Sequence, residues 1–434
     1  MKEDIAGETL ELALKYVDEA EVYLEKEDKI EVNVQNQKVD FAKEISSYGL
    51  GIRVINEGSM GFAHTTDLSN LEKTVENAVF NAKCNEADPN FYFTPQSKYP
   101  EVYGIYDKKI RNLDIVEAAD FAKVMIQTAV EKECQATSGG VHAGYYTTEI
   151  VNSEGVYAKD TSTYFSGHIS VNIPDGDGVS TAHESDTSRF KDLDPEKLSM
   201  EACQLARDSR GGKSIETADI NVLLECDAAA SLIFTLANAF NADNVQRGRS
   251  IFVDKIDKNV LSPTLNIYDD GTLKKGLNSS ISDGEGFPSQ KTVLIEDGVL
   301  KNFIYDLYTA RKSKVQSTGN GMRSSYADTP SVGFSNFILD FNEGKEISEI
   351  ENGLKVKDLL GAHTANPISG DFSVEIMNGF KIENGEVAYP IKKAMLSGNI
   401  FQAFTQVWAA SAEAKQMGPF ILPPIVVDKL RVVG

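Results

Sequence analysis

The chain is poor in the residues that most often carry metal-dependent chemistry. Its 434 residues include only five histidines, His64, His142, His168, His183 and His363. The nearest two, His168 and His183, stand 15 positions apart. A catalytic zinc usually takes about three protein ligands, often two histidines one helical turn apart. That spacing is absent. The four cysteines, Cys84, Cys134, Cys203 and Cys226, form no Cys-x-x-Cys. This excludes a zinc knuckle and a thioredoxin-like site, and isolated thiols read as reduced and mostly buried in a cytosolic protein. There is no Gly-x-Ser-x-Gly elbow for a hydrolase nucleophile. No apolar run approaches the roughly 18–20 residues of a membrane span. The run Ile421–Val427 is short and holds two prolines. The start, Met1-Lys2-Glu3-Asp4-Ile5, is charged and lacks the apolar core of a signal peptide. The expectation is a cytoplasmic protein with no membrane segment.

Basic residues are also scarce. Lysine and arginine number 43 against 65 aspartates and glutamates, a net charge of −22. An acidic surface repels phosphate backbones and anionic lipids, which argues against direct nucleic-acid binding. The densest basic run, Lys108-Lys109-Ile110-Arg111, is too short to override this.

What is present suits a folded protein of several units. A hydrophobic fraction of 41% supports sizeable cores. Three units are expected: 1–90, 113–217 and 218–434. In the first, Leu10, Ala13, Leu14 and Val17 share a helical face. Strand-like runs follow at Glu21–Leu24, Lys29–Val34, Lys38–Ile45, Tyr48–Ile55 and Met60–His64. Asp67 or Ser69 then caps a helix striped by Leu71, Val75, Ala78, Val79 and Ala82. Residues 88–112 hold three prolines and several tyrosines without a period, and read as a linker. The second unit opens on a helix capped by Asp114 and continues with strands near Val141–Tyr146, Glu149–Val151, Tyr157–Lys159 and Ser162–Ile173. A helix from Pro195 to Ser209 closes it. The third has a strand at Ile220–Glu225, a helix at Ala228–Phe240 and then mostly β-structure. Its Asp297-Gly298 and Asn384-Gly385 pairs are hairpin turns. Phe401–Ala414 reads as a helix with Phe404, Val407, Trp408 and Ala412 on one side, and Ile425–Val433 as the last strand. Grouped rather than alternating elements predict an α+β fold with mixed helices, largely antiparallel sheets and a β-rich C-terminal domain.

Three local strings suggest chemistry and fail on spacing. Gly211-Gly212-Lys213-Ser214 resembles the end of a phosphate loop, but Arg207 stands where the first glycine is needed. Asp175-Gly176-Asp177-Gly178 has the flavour of a calcium loop, but Val179 and Asp186 fall at ligand positions, so a solvated turn is expected. His183-Glu184 opens like a zinc-peptidase motif, but no second histidine follows, and the segment reads as a polar Ser/Thr-rich loop.

Several other strings together resemble the TldD/PmbA family, linked to peptide maturation and historically named modulators of DNA gyrase. They are Ala20-Glu21-Val22, Gly49-Leu50-Gly51-Ile52-Arg53-Val54, Gly61-Phe62-Ala63, Thr66-Asp67-Leu68, Asn152-Ser153-Glu154-Gly155 and Gln246-Arg247-Gly248-Arg249-Ser250. Three more follow: Asp283-Gly284-Glu285-Gly286, Leu307-Tyr308-Thr309-Ala310-Arg311-Lys312 and Ser369-Gly370-Asp371-Phe372. They span nearly the whole chain in the family's order.

The resemblance implies a choice between two branches that pair as a heterodimer. The TldD-like branch carries His-Glu-x-x-x-His on the helix opening the third unit and a cysteine ligand near the C-terminus. The PmbA-like branch, also called TldE, lacks them. Counting back from Gln246–Ser250, the histidine positions fall on Ile233 and Asn238 and the glutamate position on Phe234. No cysteine stands near Met417-Gly418-Pro419. The apolar stripe Ile233, Leu236 and Phe240, with Phe234 alongside, suggests a helix packed against protein. The expectation is a non-catalytic chain without catalytic or metal-ligand residues. It would partner a zinc-bearing TldD-like subunit in a metalloprotease complex acting on unstructured peptides. Asp243, Gln246, Arg247 and Arg249 are candidates to face substrate or partner, or else to cap the helix and tie it to the sheet. Other readings remain open at this stage: a stand-alone peptidase with relocated ligands such as His183, Glu184 and His363, a homodimeric peptide-binding scaffold, or a regulator contacting gyrase as a protein.

Overall fold

The computed structural model describes residues 4–410 and 413–434. Met1–Glu3 and the expected helical position Ala412 lie outside the described residues.

The N-terminal half contains α1 (Ile5–Ala13), β1 (Glu19–Gln35), β2 (Lys38–Asn56), β3 (Ser59–Thr65) and α2 (Leu71–Cys84). After the stretch expected to be a linker come α3 (Lys108–Arg111), α4 (Ile115–Glu131), β4 (Gln135–Asn152), β5 (Tyr157–Asp175), β6 (Gly178–Ser188) and α5 (Pro195–Asp208). The strands form one antiparallel sheet in the order β3-β2-β1-β4-β5-β6. The two N-terminal stretches thus share a sheet, joined by β1 and β4 from Glu21↔Asn152 to Gln35↔Ser138.

The strands are longer than the sequence suggests. Glu21–Leu24 and Lys29–Val34 belong to one 17-residue strand. The charged run between them contains no glycine or proline, so nothing interrupts the ladder, which continues unbroken from Glu25↔Gly49 to Asp28↔Ser46. The turn Asn36-Gln37 has positive φ at both residues, 48° and 64°, as a tight hairpin requires. The helix α2 starts later than expected: Asn70 precedes it, while Asp67 instead accepts from the Ser69 N–H at 3.0 Å.

Alternation along β1 decides what each face meets. Ala20 and Val22 join Leu50, Ile52 and Val54 under α1 and α2. Ile30, Val32 and Val34 join Met125, Phe165 and Ala202 under α4 and α5. Both helix pairs therefore cover the same face, at opposite ends of the strand. The intervening positions, Glu21 and Tyr23 among them, point the other way.

That other face meets the C-terminal half. Its elements are β7 (Ala218–Leu224), α6 (Cys226–Ala237), α7 (Ala242–Gln246), β8 (Leu265–Asp270), β9 (Lys291–Glu296), β10 (Val299–Leu300) and α8 (Leu307–Ser313). Then follow β11 (Gly321–Met322), β12 (Ser331–Val332), β13 (Phe337–Phe341), β14 (Gly344–Lys345), β15 (Asn352–Leu360), β16 (Asp371–Glu383), β17 (Glu386–Ile391) and β18 (Met395–Asn399). The last are α9 (Ile400–Ala403), β19 (Val407–Ala410), β20 (Lys415–Met417), β21 (Phe420–Leu422) and β22 (Ile425–Val433). One sheet runs β10-β9-β8-β13-β21-β20. A second runs β14-β19-β22-β18-β16-β15-β7, and β22 also pairs with β7, so five of its strands close into a ring. Closure removes free edges. The helix α6 packs against β15 on one side and β20 and β21 on the other, within one continuous apolar core. The fold is α+β with largely antiparallel sheets and a β-rich C-terminal region, as expected. Among the described residues no helix is long and apolar enough to cross a membrane.

Two local expectations are corrected. Phe401–Ala414 is not one helix: α9 ends at Ala403, and Val407–Ala410 pairs with β22 as a strand. The β-branched Val407 and aromatic Trp408 suit a sheet once β22 offers a ladder. His183 does not lie in a loop but in β6, where Ser180 and Ala182 are buried and their neighbours exposed.

Gly49 and Gly51 show how closely the halves approach. A Cβ on Gly49 would stand 2.3 Å from the Tyr326 ring, and one on Gly51 would stand 2.3 Å from the Tyr326 carbonyl oxygen. The second obstacle is backbone and cannot swing away. We expect Gly51→Ala to destabilise the protein by about 1–3 kcal/mol, the usual cost of overpacking. Urea unfolding checks this; an unchanged midpoint would show that the halves do not depend on this contact.

Candidate functional site

The helix α6 leads into a short 3-10 turn, Asn238–Phe240. Ile233 is wholly buried among its core neighbours. Phe234 is 56% exposed, so the expectation that it packs into the protein is corrected. Successive helical residues are rotated by about 100°, and Ile233 already takes the inward direction. The Phe234 ring stands edge-to-face with Phe420, with centroids 6.5 Å apart. Asn238 donates its Nδ2 to the Phe234 carbonyl at 2.8 Å. Ile233 and Phe234 offer no lone pair, and their hydrocarbon could not offset dehydration of a divalent ion. The turn Met417-Gly418-Pro419 joins β20 to β21, the hairpin that packs against α6.

The alternative ligands His183, Glu184 and His363 are not brought together. Adjacent residues of a strand face opposite sides. His183 lies 3.7 Å from Asp358, whereas Glu184 pairs with Lys357 at 3.0 Å, and Lys357 also holds Asp227 at 2.7 Å. Burial pushes the Glu184 carboxyl up, and Lys357 opposes that. His363 sits in the separate turn Ala362–Thr364. Among the described residues no three His, Cys, Asp or Glu side chains are placed to hold a metal ion.

The four candidates after α6 lie on or just beyond α7. Asp243 and Arg247 form an exposed pair at 2.7 Å, one helical turn apart. Gln246 donates Nε2 to the Thr309 carbonyl at 2.7 Å and to Ser313 Oγ at 2.8 Å, which ties α7 to α8. Its Oε1 is buried without a partner among the described residues. Arg249 is exposed, and its N–H donates to the Asn244 carbonyl at 2.8 Å.

A second constellation was not singled out from the sequence. Glu21 and Arg53 face each other across β1 and β2, on the side away from the helices. Arg53 donates Nε and Nη2 to the two Glu21 oxygens at 2.9 and 2.8 Å. Its Nη1 donates to Glu285 Oε1 at 3.2 Å. Arg323 also pairs with Glu21 and donates Nε to the Gly284 carbonyl at 2.7 Å. The second Glu285 oxygen accepts the Leu307 N–H at 2.8 Å. Asp283 accepts from the N–H groups of Glu285, Phe287 and Gly321 at 2.9, 3.0 and 2.9 Å. All these charged side chains are buried. Phe93 lies over Arg53 and Tyr23 over Arg323, at 5.4 and 4.7 Å. A charged residue inside an apolar β-run, as in Ala20-Glu21-Val22 and Ile52-Arg53-Val54, was the available signal.

Burial raises the Glu285 carboxyl to about 7, with Asp306 adding and Arg53 opposing. Burial and the charge of Glu285 push Asp283 well up. The two guanidiniums diverge. Burial opposes the charge of Arg53, but two carboxylates hold it above its usual value. Burial lowers Arg323 to about 10 because Glu21 is opposed by the charge of Arg53.

The stretch expected to be a linker crosses this region as a strap. Asn152 Nδ2 donates to the Thr94 carbonyl at 2.9 Å, Tyr99 to the Gly286 carbonyl at 3.0 Å, and Tyr308 to Asp88 at 2.9 Å. Beside Arg53 it encloses a cavity of about 260 Å³ whose lining includes Phe91, Tyr92, Glu285, Asp306 and Tyr308.

Two outcomes follow. Arg53→Met leaves buried Glu285 without a guanidinium and Glu21 with Arg323 alone, and is expected to cost about 3–5 kcal/mol in urea unfolding; a loss below about 1 kcal/mol would mean that water reaches the network. Glu285 ionises near 4.5 when unfolded and near 7 when folded. Between those values the folded state holds more protons, so this group's stabilisation, complete below about 4.5, is lost as pH rises through 7. In Glu285→Gln that decline should vanish from a series of Tm values between pH 5 and 7.5, and an unaltered slope would assign it elsewhere.

Comparison with known proteins agrees across the chain. Residues 20–82, 108–210 and 217–434 match domain 1, the central domain and the C-terminal domain of the PmbA/TldA metallopeptidases. An uncharacterized protein of Methanocaldococcus jannaschii is 36% identical over 410 residues, covering 94% of this chain and 95% of its own. Metalloprotease PmbA of Escherichia coli O157:H7 is 24% identical over 454 residues, covering 100% of this chain and 96% of its own. The crystal structure of TldE from Thermococcus kodakarensis superposes with a TM-score of 0.92 at 24% identity, covering 99% of this chain and 100% of that one. A mixed sheet architecture, a helix at the start of the C-terminal half and end-to-end similarity lead to one conclusion: this chain belongs to the PmbA/TldD metallopeptidase family.

Proposed function

We propose that this chain is the non-catalytic subunit of a two-subunit peptidase. It pairs with a TldD-like chain that carries the zinc, and the assembly cuts unstructured peptides during their maturation. The proposal is supported by α6, a helix whose Ile233 side is packed into the core, while the resemblance puts two histidines of the metal-bearing branch at Ile233 and Asn238 and its base at Phe234. A chain that keeps the scaffold and lacks the donors binds no metal there, and so cannot activate water on it. Its task is to shape the chamber and hold peptide, for which exposed strand edges offer sequence-tolerant main-chain hydrogen bonds. The exposed Phe234 ring adds an apolar surface at the same helix. The likeness to the Thermococcus kodakarensis TldE fold is in keeping with this role. The protein works in the cytoplasm, where its four free thiols stay reduced.

The experiment is reconstitution. Purified alone, the chain is expected to hold substoichiometric zinc and to leave an unstructured peptide intact. Co-expressed with a TldD-like chain, it should co-purify, and cleavage should need both. Chelator-sensitive cleavage by this chain alone would overturn the proposal in favour of a stand-alone enzyme.

A further inference from the structure

Two of the four free thiols meet in the core beneath α4 and α5, and the partner role uses neither. The turn that ends α4 puts the first in place. Glu133 takes a positive φ of 57°, and the Cys134 N–H reaches back to the Ala129 carbonyl at 2.9 Å. A left-handed residue after a helix, followed by such a back-bond, folds the next side chain against the last turn. Cys134 is therefore only 4% exposed although it stands just past the helix end. The second thiol, Cys203, lies on the buried stripe of α5 with Ser199, Ala202 and Ala206.

Two cross-links fix α5 against that turn. Ser199, one helical turn before Cys203, donates its hydroxyl to the Met125 carbonyl of α4 at 2.8 Å. Arg207, one turn after it, donates Nη2 to the Lys132 carbonyl at 2.8 Å. Between them the Cys134 Sγ stands 4.0 Å from the Cys203 carbonyl oxygen, and the two thiols are within hydrogen-bond reach of each other. A thiol that only fills space need not meet another thiol. Sulfurs this near, on backbones held on both sides, join by side-chain rotation without a change of fold.

The surroundings give the two thiols different parts. Cys134 borders an open surface cavity of about 460 Å³, with Val130, Glu133, Asn172 and Val179 among its other walls. Cys203 is not one of those walls and is 1% exposed. Burial, and then the neighbouring Cys134 thiol, push Cys203 up to about 12, so it stays protonated. A small uncharged oxidant therefore meets Cys134 first.

We propose that Cys134 and Cys203 are an oxidation site for hydrogen peroxide, closing a reversible disulfide between the end of α4 and α5. The Cys134 sulfur attacks one peroxide oxygen and the O–O bond breaks. The other oxygen leaves as water with the thiol proton, and a sulfenic acid remains on Cys134. The Cys203 sulfur then attacks the Cys134 sulfur and the S–O bond breaks. The hydroxyl leaves as a second water with the Cys203 proton. The two sulfurs give up two electrons, and the two peroxide oxygens take them. A low-molecular-weight thiol reopens the bond by exchange, as suits a transient disulfide in a reducing compartment. The inference does not depend on the partner role, because it concerns this chain alone.

The test uses the full chain carrying Cys84→Ser, which removes the exposed thiol. The folded protein is treated with millimolar hydrogen peroxide for up to a few hours, on the order of the time such bonds take to form. Catalase then removes the peroxide, and remaining thiols are alkylated in denaturant. Mass spectrometry is expected to find most chains lighter by two hydrogens, with the Cys134 and Cys203 peptides joined and Cys226 alkylated. Dithiothreitol should restore both thiols. In Cys203→Ala, Cys134 should instead hold a sulfenic acid that dimedone traps, and in Cys134→Ala, Cys203 should stay reduced. The joined peptides are read without either core variant, so poor folding of a variant leaves the test standing. Full alkylation of both thiols after peroxide would overturn the proposal. So would a link from either to Cys226, a link formed only in unfolding urea, or oxidation of Cys203 in a folded Cys134→Ala chain.

Discussion

The Arg53 guanidinium, clamped between Glu21 and Glu285, is the interaction on which the two halves of the molecule depend. Taking charges out of water costs several kcal/mol per ion, and mutual attraction repays it only when every donor and acceptor is used. Here the requirement is met by residues distant in sequence. Glu21 and Arg53 come from neighbouring strands, Glu285 from a loop and Arg323 from the segment after β11. Such a network is satisfied in one docking of the halves and unsatisfied in a slightly shifted one. It gives specificity of arrangement rather than a large gain in stability.

Strand alternation explains why the network lies where it does. On β1 the even positions near its start are apolar and the odd ones carry Glu21 and Tyr23. Once the even face goes under α1 and α2, Glu21 must face the C-terminal half. Gly49 and Gly51 share that odd face on β2 and leave room for Tyr326. The strap from residue 88 covers the remaining side through Phe93, Thr94 and Tyr99, and the cavity beside Asp306 is what its path encloses. Charge, close approach and cavity thus have one cause.

Legibility differed by element. The helix after Asp114, the hairpins at Asp297-Gly298 and Asn384-Gly385 and the helix carrying Ile233 were plain, because caps, turn pairs and helical period are local signals. The long strands were not, since a charged run such as Glu25–Asp28 has no local mark of whether it continues a ladder. The second half of Phe401–Ala414 went astray because β22 lies beyond it in the chain and overrides its helical period. The strap had composition but no period, so only its contacts reveal its role. Glu21, Arg53 and Glu285 each stood in a string that carried the family likeness, yet nothing in one dimension joined them.

By itself the sequence carried the family likeness, the α+β class and the expectation that Ile233, Asn238 and Phe234 stand where the metal-bearing branch has its two histidines and its glutamate. These follow from residue identity, order and short-range periodicity. Tertiary structure alone decided that Ile233 turns inward while Phe234 faces out, that His183 and Glu184 diverge, and that Glu21, Arg53, Glu285 and Arg323 meet. The reason is physical. Burial, charge pairing and enclosure arise between segments from 32 to 302 residues apart, as for Glu21 with Arg53 and with Arg323, and long-range contacts have no signature in the local pattern of either segment.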